Sequence, residues 1–81
     1  MRQFLVHDAR DNVGVAVVDI DAGRALEITV REPIPLGHKF ALRDLEIGST
    51  VIKYGEDIGR VVSAIRAGDH VHVHNLKTKR W

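Results

Sequence analysis

The 81-residue sequence contains no cysteine, only two prolines and few aromatic side chains (5%). Without cysteine the chain can form no disulfide, thiolate metal site or thiol nucleophile, which fits a reducing compartment. No apolar run approaches the roughly 18 residues that a membrane-spanning helix needs, and residues 1–10 lack the long apolar stretch of a signal peptide. We therefore expect a soluble, unprocessed, cytoplasmic protein that does not bind membranes.

Charge is nearly balanced, with 12 Lys and Arg against 11 Asp and Glu, a formal net charge of +1 and a pI near 8.2. Nucleic-acid-binding domains are more basic, so no nucleic-acid partner is expected. The length predicts a single domain over residues 1–81, which buries only about 60% of the surface of its unfolded chain. Such a domain has little material to enclose a deep pocket, and we expect it to supply part of an active site at most.

Seven glycines divide the sequence into short segments rich in Val, Ile and Leu, a pattern typical of strands joined by turns. Helix competes only in residues 40–47 and 60–67, and each of these segments is about two turns long. Pro33 and Pro35 cannot donate to a ladder, which favours a strand edge or a loop for their segment. The prediction is a mainly β fold with short helical turns.

A weak internal repeat covers residues 18–26, 43–51 and 63–71. Its form is a branched apolar residue, two positions, Gly, two positions and a second apolar residue. We interpret each copy as a corner, in which the first apolar side chain fixes one helical turn to the core and the glycine ends that turn with a positive φ. The second apolar residue then begins a strand.

Histidine is the one unusual chemical resource, with five residues in the chain. Residues 69–76 alternate polar and apolar side chains, so a strand here would place His70, His72 and His74 on one face and point Val71 and Val73 into the core. Same-face residues of a strand are about 7 Å apart, which lets imidazoles converge on one cation or one anionic substrate. The competing interpretation is an exposed strand face that uses histidine as an ordinary polar residue.

Two further cation-bearing segments sit beside glycine turns. His38 and Lys39 follow Gly37, where His38 is a candidate base and Lys39 a candidate anion-binding group, and Lys53 precedes a second turn. The simpler interpretation has His38 capping a short helix and the lysines solvated. Trp81, at the last position, is expected to pack on a partner.

Several separated motifs together resemble one family. They are residues 11–13, residues 35–42 with GHKFAL, VIKYG at 51–55, residues 58–59, and residues 68–77 with HVHVHNLK. In this order they resemble the SAF-type small domain at the N-terminus of altronate and galactarate dehydratases, and the separate small subunit of the related sulfolactate sulfo-lyase.

The resemblance implies a β-clip fold in which bent hairpins fold over one another. It also implies a lyase that removes water or sulfite from a hydroxy acid, with a divalent metal, iron(II) or manganese(II), shared with a large catalytic subunit. Because the chain stops soon after its HNLK motif, we expect a free-standing small subunit, inactive alone, in an oligomeric assembly.

Within that chemistry we hypothesise that His38, His72 and His74 are catalytic, and that His72 and His74 are metal ligands. Lys39, Lys53 and Asn75 would bind the substrate. Imidazole serves both as an acid or base near neutral pH and as a ligand for iron or manganese. Which histidine binds metal and which moves protons stays open at this stage.

Three other functions remain open from the sequence. The fold also serves as a non-catalytic module that binds carbohydrates or sugar acids, and fold alone does not fix function. A purely structural assembly domain would use Trp81 for docking and its histidines as polar surface. Metal storage through the HxHxH segment is a third alternative.

Overall fold

The computed structural model describes residues 3–26 and 28–78. Seven short strands form two antiparallel sheets, in the orders β1-β2-β3-β6 and β4-β5-β7. Their bounds are β1 Phe4–Leu5, β2 Val13–Ala16, β3 Lys39–Ala41, β4 Thr50–Lys53, β5 Glu56–Val61, β6 His70–Val71 and β7 Leu76–Thr78. The mainly β prediction is confirmed.

The predicted short helical turns are wrong for the described part of the chain, where no residue is helical. The corner glycines Gly23, Gly37, Gly48 and Gly68 instead complete tight turns, with φ between 84° and 89°. In each turn an N–H donates to the carbonyl three residues earlier, as Ser49 does to Glu46 at 3.0 Å. A turn of this kind reverses the chain without the two helical turns that residues 40–47 and 60–67 would have needed.

Residues 3–26 and 28–78 contain four such corners rather than three, and the corners associate in pairs. Ile20 and Ile34 exchange backbone hydrogen bonds of 2.9 and 2.8 Å, and Leu45 and Ile65 exchange bonds of 2.8 and 3.0 Å. The Ile34 corner follows the same apolar-x-x-Gly form as the others, and its Gly37 N–H donates to the Ala16 carbonyl at 2.8 Å.

Aspartate side chains support both corner pairs in the same way. Asp19 Oδ1 accepts from the Leu36 N–H at 2.8 Å, and Asp44 Oδ1 accepts from the Ala67 N–H at 2.9 Å. The two halves of the fold are therefore built on one local plan, in which a carboxylate of one corner satisfies a backbone donor of its partner corner.

Two hydrophobic clusters lie on the two faces of the first sheet. One packs between the sheets and comprises Val13, Ala41, Leu45, Val51, Val61, Ile65, Val71 and Leu76. The other comprises Ala16, Ile20, Val30, Ile34 and Phe40. Alternation along β3 explains the division, because Phe40 and Ala41 point to opposite faces. Within the described ranges no helix is long and apolar enough to cross a membrane.

Buried Asn12 joins the two sheets. Its Oδ1 accepts from the Ile52 N–H at 2.8 Å, and its Nδ2 donates to the Thr50 carbonyl at 2.9 Å. The Asn12 backbone N–H also donates to the Ile52 carbonyl at 3.2 Å, so three hydrogen bonds from this residue reach the backbone of β4 and fix how β2 and β4 meet.

Candidate functional site

Strand register brings the histidines together. Phe40 of β3 lies opposite His70 of β6, and extending that ladder by one pair puts His38 opposite His72. Paired residues share a face of a sheet, and so do residues two apart in a strand. His38, His70 and His72 therefore stand on the same face as Phe40, at the end of the first sheet.

The three rings are in direct contact. His38 Nδ1 and His70 Nε2 are 2.8 Å apart, a hydrogen-bond distance. The His72 ring centroid lies 4.8 Å from that of His38 and 5.3 Å from that of His70, with the His70 and His72 planes only 9° apart. One ligand nitrogen from each of the three lies within 4.8 Å of the others, which makes this histidine cluster a candidate metal site.

Asn75 organises the turn that follows β6. Its buried side chain accepts from the His72 N–H at 2.9 Å through Oδ1, and it donates to the His70 carbonyl at 2.7 Å through Nδ2. The same Nδ2 lies 3.1 Å from His74 Nε2. One amide thus touches all three histidines of the HVHVH segment, and we interpret Asn75 as a positioning residue.

A second group of possible ligands uses His70 again. Glu32, His70 and His74 have ligand atoms within 4.8 Å of one another. Glu32 Oε2 also accepts from the His70 backbone N–H at 3.2 Å. A carboxylate from the proline-flanked segment before Ile34 therefore reaches the histidine cluster.

The environment of His70 favours its neutral form. Partial burial lowers the pKa of His70 below its usual 6.5, and charge on His38 lowers it further, while Glu32 opposes the shift. Charges on His72 and His74 act in the same direction as that on His38. Neutral imidazole is the form that binds a metal ion or accepts a proton.

The two lysines predicted to bind substrate lie elsewhere. Lys39 is offset by one residue from His38 and Phe40, so its side chain stands on the opposite face of β3, the face that carries Ala41. Partial burial and then the positive charge of Lys53 lower the pKa of Lys39. Lys53 Nζ lies 5.0 Å from the centroid of the Tyr54 ring. The structure thus brings the lysines toward each other and not to the histidines.

The predicted strand over residues 70–74 is wrong in its second half. β6 ends at Val71, residues 73–75 form a turn, and Leu76 begins β7. Val73 was expected in the core but is 75% exposed. The turn forms because Asn75 and Leu76 both donate backbone hydrogen bonds to the His72 carbonyl, at 3.1 and 2.8 Å.

Sequence reasoning placed His70 on the histidine face but left it out of the site residues, although its ring contacts those of His38, His72 and His74. Glu32 was missed entirely. The alternation of His70 with His72 could have identified His70 as a site residue. Glu32 contacts His70 only because two segments distant in sequence meet in the fold, and no local pattern predicts that contact. The prediction for Trp81 falls outside the described residues.

Comparison with known proteins identifies the family. The model of the altronate/galactarate dehydratase SAF domain matches residues 2–79. The chain belongs to this SAF domain family. It is 54% identical over 96% of its length to the alpha subunit of (2R)-sulfolactate sulfo-lyase from Chromohalobacter salexigens, covering 96% of that subunit. It is 57% identical over 67% of its length to the same subunit from Paracoccus pantotrophus, covering 81% of it.

A longer relative shares the same domain. Altronate dehydratase from Escherichia coli is 43% identical over 94% of this chain, which spans only 16% of that enzyme. The SAF domain therefore occurs both as a subunit-sized chain and as a small part of a large enzyme. The relatives are lyases in either form.

Proposed function

We propose that this protein is the small subunit of a two-component lyase that eliminates sulfite from a sulfo-hydroxy acid of the sulfolactate type. The observation that carries the proposal is the match to sulfolactate sulfo-lyase alpha subunits over nearly the whole length of both chains, with a histidine cluster at the protein surface. A partner subunit is implied by the name "alpha" in those relatives. We place the assembled enzyme in the cytoplasm.

The histidine cluster suits the divalent metal that dehydratase and sulfo-lyase chemistry implies. The donors of the histidine cluster are all imidazole, whereas the second group, Glu32, His70 and His74, offers imidazole and carboxylate. Both donor sets suit iron or manganese better than they suit calcium or magnesium. When bound, such a cation supplies positive charge that stabilises the negative charge developing next to the substrate carboxylate.

The chemistry asked of the protein is a β-elimination. A base removes the proton on the carbon that carries the hydroxyl and carboxylate groups, the bond from the neighbouring carbon to sulfur breaks, and sulfite leaves with that electron pair. The carbon–carbon double bond that forms gives an enol, which becomes a 2-oxo acid. His38, His72 and His74 are the candidate groups for this chemistry, because imidazole serves both as an acid or base and as a ligand for a transition metal.

Two of the exposed histidines lie where a partner could cover them. His72 and His74 are exposed in this chain, whereas His38 and His70 are half-buried. An elimination that passes through a carboxylate-stabilised anion needs a site with little water, which an 81-residue chain cannot enclose alone. We therefore propose that this subunit is inactive alone and that the large subunit closes over the cluster.

Lys39 and Lys53 have no contact with substrate in this proposal, because Lys39 stands on the face of β3 opposite the histidines and Lys53 is close enough to Lys39 to lower its pKa. Asn75 acts through the turn that it holds. Both assignments replace the substrate-binding role expected from the sequence.

The test is sulfite release from sulfolactate by this chain co-purified with its large subunit. His72→Ala is expected to abolish turnover while the chain stays folded, because the His72 side chain is exposed. His7→Ala is the matched control, a histidine outside the cluster that stacks on Tyr54. Near-normal turnover by the His72 variant would refute the site.

Dehydration of an altronate-type sugar acid is the second candidate, favoured by the 43% identity to altronate dehydratase. The same complex should then release water from altronate or galactarate and leave sulfolactate unchanged. Binding of a sugar acid by the isolated chain, with no turnover in any complex, would instead support a binding module.

A further inference from the structure

The orientation of the Asn75 amide is fixed by the backbone around it. The His72 N–H can only donate and the His70 carbonyl can only accept, so Oδ1 must face the former and Nδ2 the latter. An amide flipped by 180° would set donor against donor and acceptor against acceptor at 2.9 and 2.7 Å. Because Asn75 is buried, no solvent is at hand to relieve such a conflict.

This orientation decides which nitrogen of His74 carries a proton. Nδ2 of Asn75 has two N–H groups, of which one points to the His70 carbonyl and the other to His74 Nε2 at 3.1 Å. His74 Nε2 must therefore accept, and in a neutral ring the proton then lies on Nδ1. Neither nitrogen of His74 keeps a free lone pair, and the ring is blocked as a metal ligand.

The other three histidines have no such restriction. His38 Nδ1 and His70 Nε2 already face each other at 2.8 Å, so a cation that replaces the shared proton meets two lone pairs at once. The His72 ring has no hydrogen bond within the described part of the chain, and its exposed side chain is free to rotate. Ligand nitrogens about 2.1 Å from a tetrahedral metal are about 3.4 Å apart, which the present spacing of up to 4.8 Å approaches with small side-chain rotations.

We propose that a divalent transition metal binds this chain through His38, His70 and His72, and that Asn75 excludes His74 from the coordination by holding it as the Nδ1–H tautomer. This inference rests on the proposed function for its biological context but not for its test. It selects between the two possible ligand groups, because the set of Glu32, His70 and His74 loses a ligand when His74 is blocked. The open coordination positions would face the partner and the substrate.

The experiment is a titration of the full chain with cobalt(II) alone, followed by calorimetry and by the visible absorption of the bound ion. His72→Ala and His74→Ala form a matched pair, since both residues are exposed and lie in one short turn. We expect the first to weaken cobalt binding by about tenfold or more and the second to leave it unchanged. His38→Ala should behave as His72→Ala does.

Three results would overturn the ligand set. The first is a wild-type chain that does not bind cobalt, and the second is a His74→Ala variant that loses as much affinity for cobalt as His72→Ala does. The third is loss of cobalt binding in both single variants, Glu32→Gln and His74→Ala, which would assign the metal to the set of Glu32, His70 and His74. Long-range proton–nitrogen NMR of the histidine rings checks the tautomer independently, with His74 Nε2 expected to carry no proton. A protonated Nε2 refutes the role given to Asn75. If the wild-type chain binds cobalt as expected but its complex with the large subunit turns over no substrate, the proposed lyase function is wrong and this metal site is not.

Discussion

At the scale of single residues, His70 is the junction of the site. It contacts His38, His72 and His74 through its ring and Glu32 through its backbone N–H. The pKa of His70 is lowered, chiefly by burial and then by charge on His38. A residue in this position couples the protonation of the site to the stability of the fold.

The free energy of unfolding is expected to fall as the pH is lowered through 6.5. The pKa of His70 is lower in the folded chain than in the unfolded chain, so the unfolded state takes up a proton first. Stability from this residue is complete above pH 6.5, falls as the pH drops below that value, and reaches its minimum below the folded pKa. Urea denaturation of the metal-free chain between pH 7.5 and 5 measures this effect.

His70→Gln is the variant that isolates the contribution of His70. Its stability should vary less with pH over the same range, because the group whose pKa differs between the two states is gone. An unchanged dependence in this variant would show that other groups cause the loss.

The site residues illustrate what a pattern can predict at this scale. Alternation in HVHVH predicted the shared face of His70 and His72 correctly, because both flank one strand residue. It failed at Val73, since the chain turns after β6 and the turn is set by Asn75. It could not reach Glu32, whose contact with His70 depends on how two distant segments meet.

At the scale of elements, the paired glycine corners carry the architecture. All four corner glycines have positive φ, but their surroundings differ. A Cβ on Gly48 would meet open space, whereas a Cβ on Gly68 would overlap the carbonyl oxygen of Thr29. The Gly68 carbonyl also accepts from the Arg31 N–H at 3.0 Å, so this corner holds the segment that leads to Glu32.

Gly68→Ala is therefore expected to cost more stability than Gly48→Ala. Both substitutions place an L side chain at positive φ, which costs about 1 kcal/mol or more. Only the former also forces the Thr29 backbone to move, which adds about 1–3 kcal/mol. Urea denaturation of the two variants measures the difference, and equal losses would contradict the importance of the close approach at Thr29.

The element scale also shows what the repeat did and did not reveal. The apolar-x-x-Gly form predicted turns at Gly23, Gly48 and Gly68, because a positive φ is a local requirement. The same form at Ile34, which lies between two prolines, was not recognised as a copy of the repeat. The sequence does not show that Ile20 pairs with Ile34 and Leu45 with Ile65. These pairs are held by backbone hydrogen bonds, which any two of the corners could form with each other. The family resemblance, and not the periodicity, supplied the overall fold.

At the scale of the whole molecule, Val73 and Ile47 are the most exposed large hydrophobic residues that the structure describes. Val73 projects from the turn between His72 and His74 and is 75% exposed. Ile47, 67% exposed, lines a groove together with Val62 and the strand residues Arg60 and Lys77. A partner that completes the histidine site must lie over the former, whereas a partner that only holds the subunit in place has no need to do so.

Val73→Asn is accordingly expected to weaken binding to the large subunit by about tenfold or more, since exposed apolar residues at the centre of an interface carry much of its energy. Ile47→Asn is the matched control, a comparably exposed aliphatic residue (67% against 75%) outside the histidine cluster, and it should leave the affinity unchanged. Both substitutions lie at the surface and spare the core. Affinity is measured by calorimetry with the purified large subunit. If Ile47→Asn dissociates the complex while Val73→Asn does not, the partner binds the groove, and the histidine cluster cannot form the shared active site proposed for it.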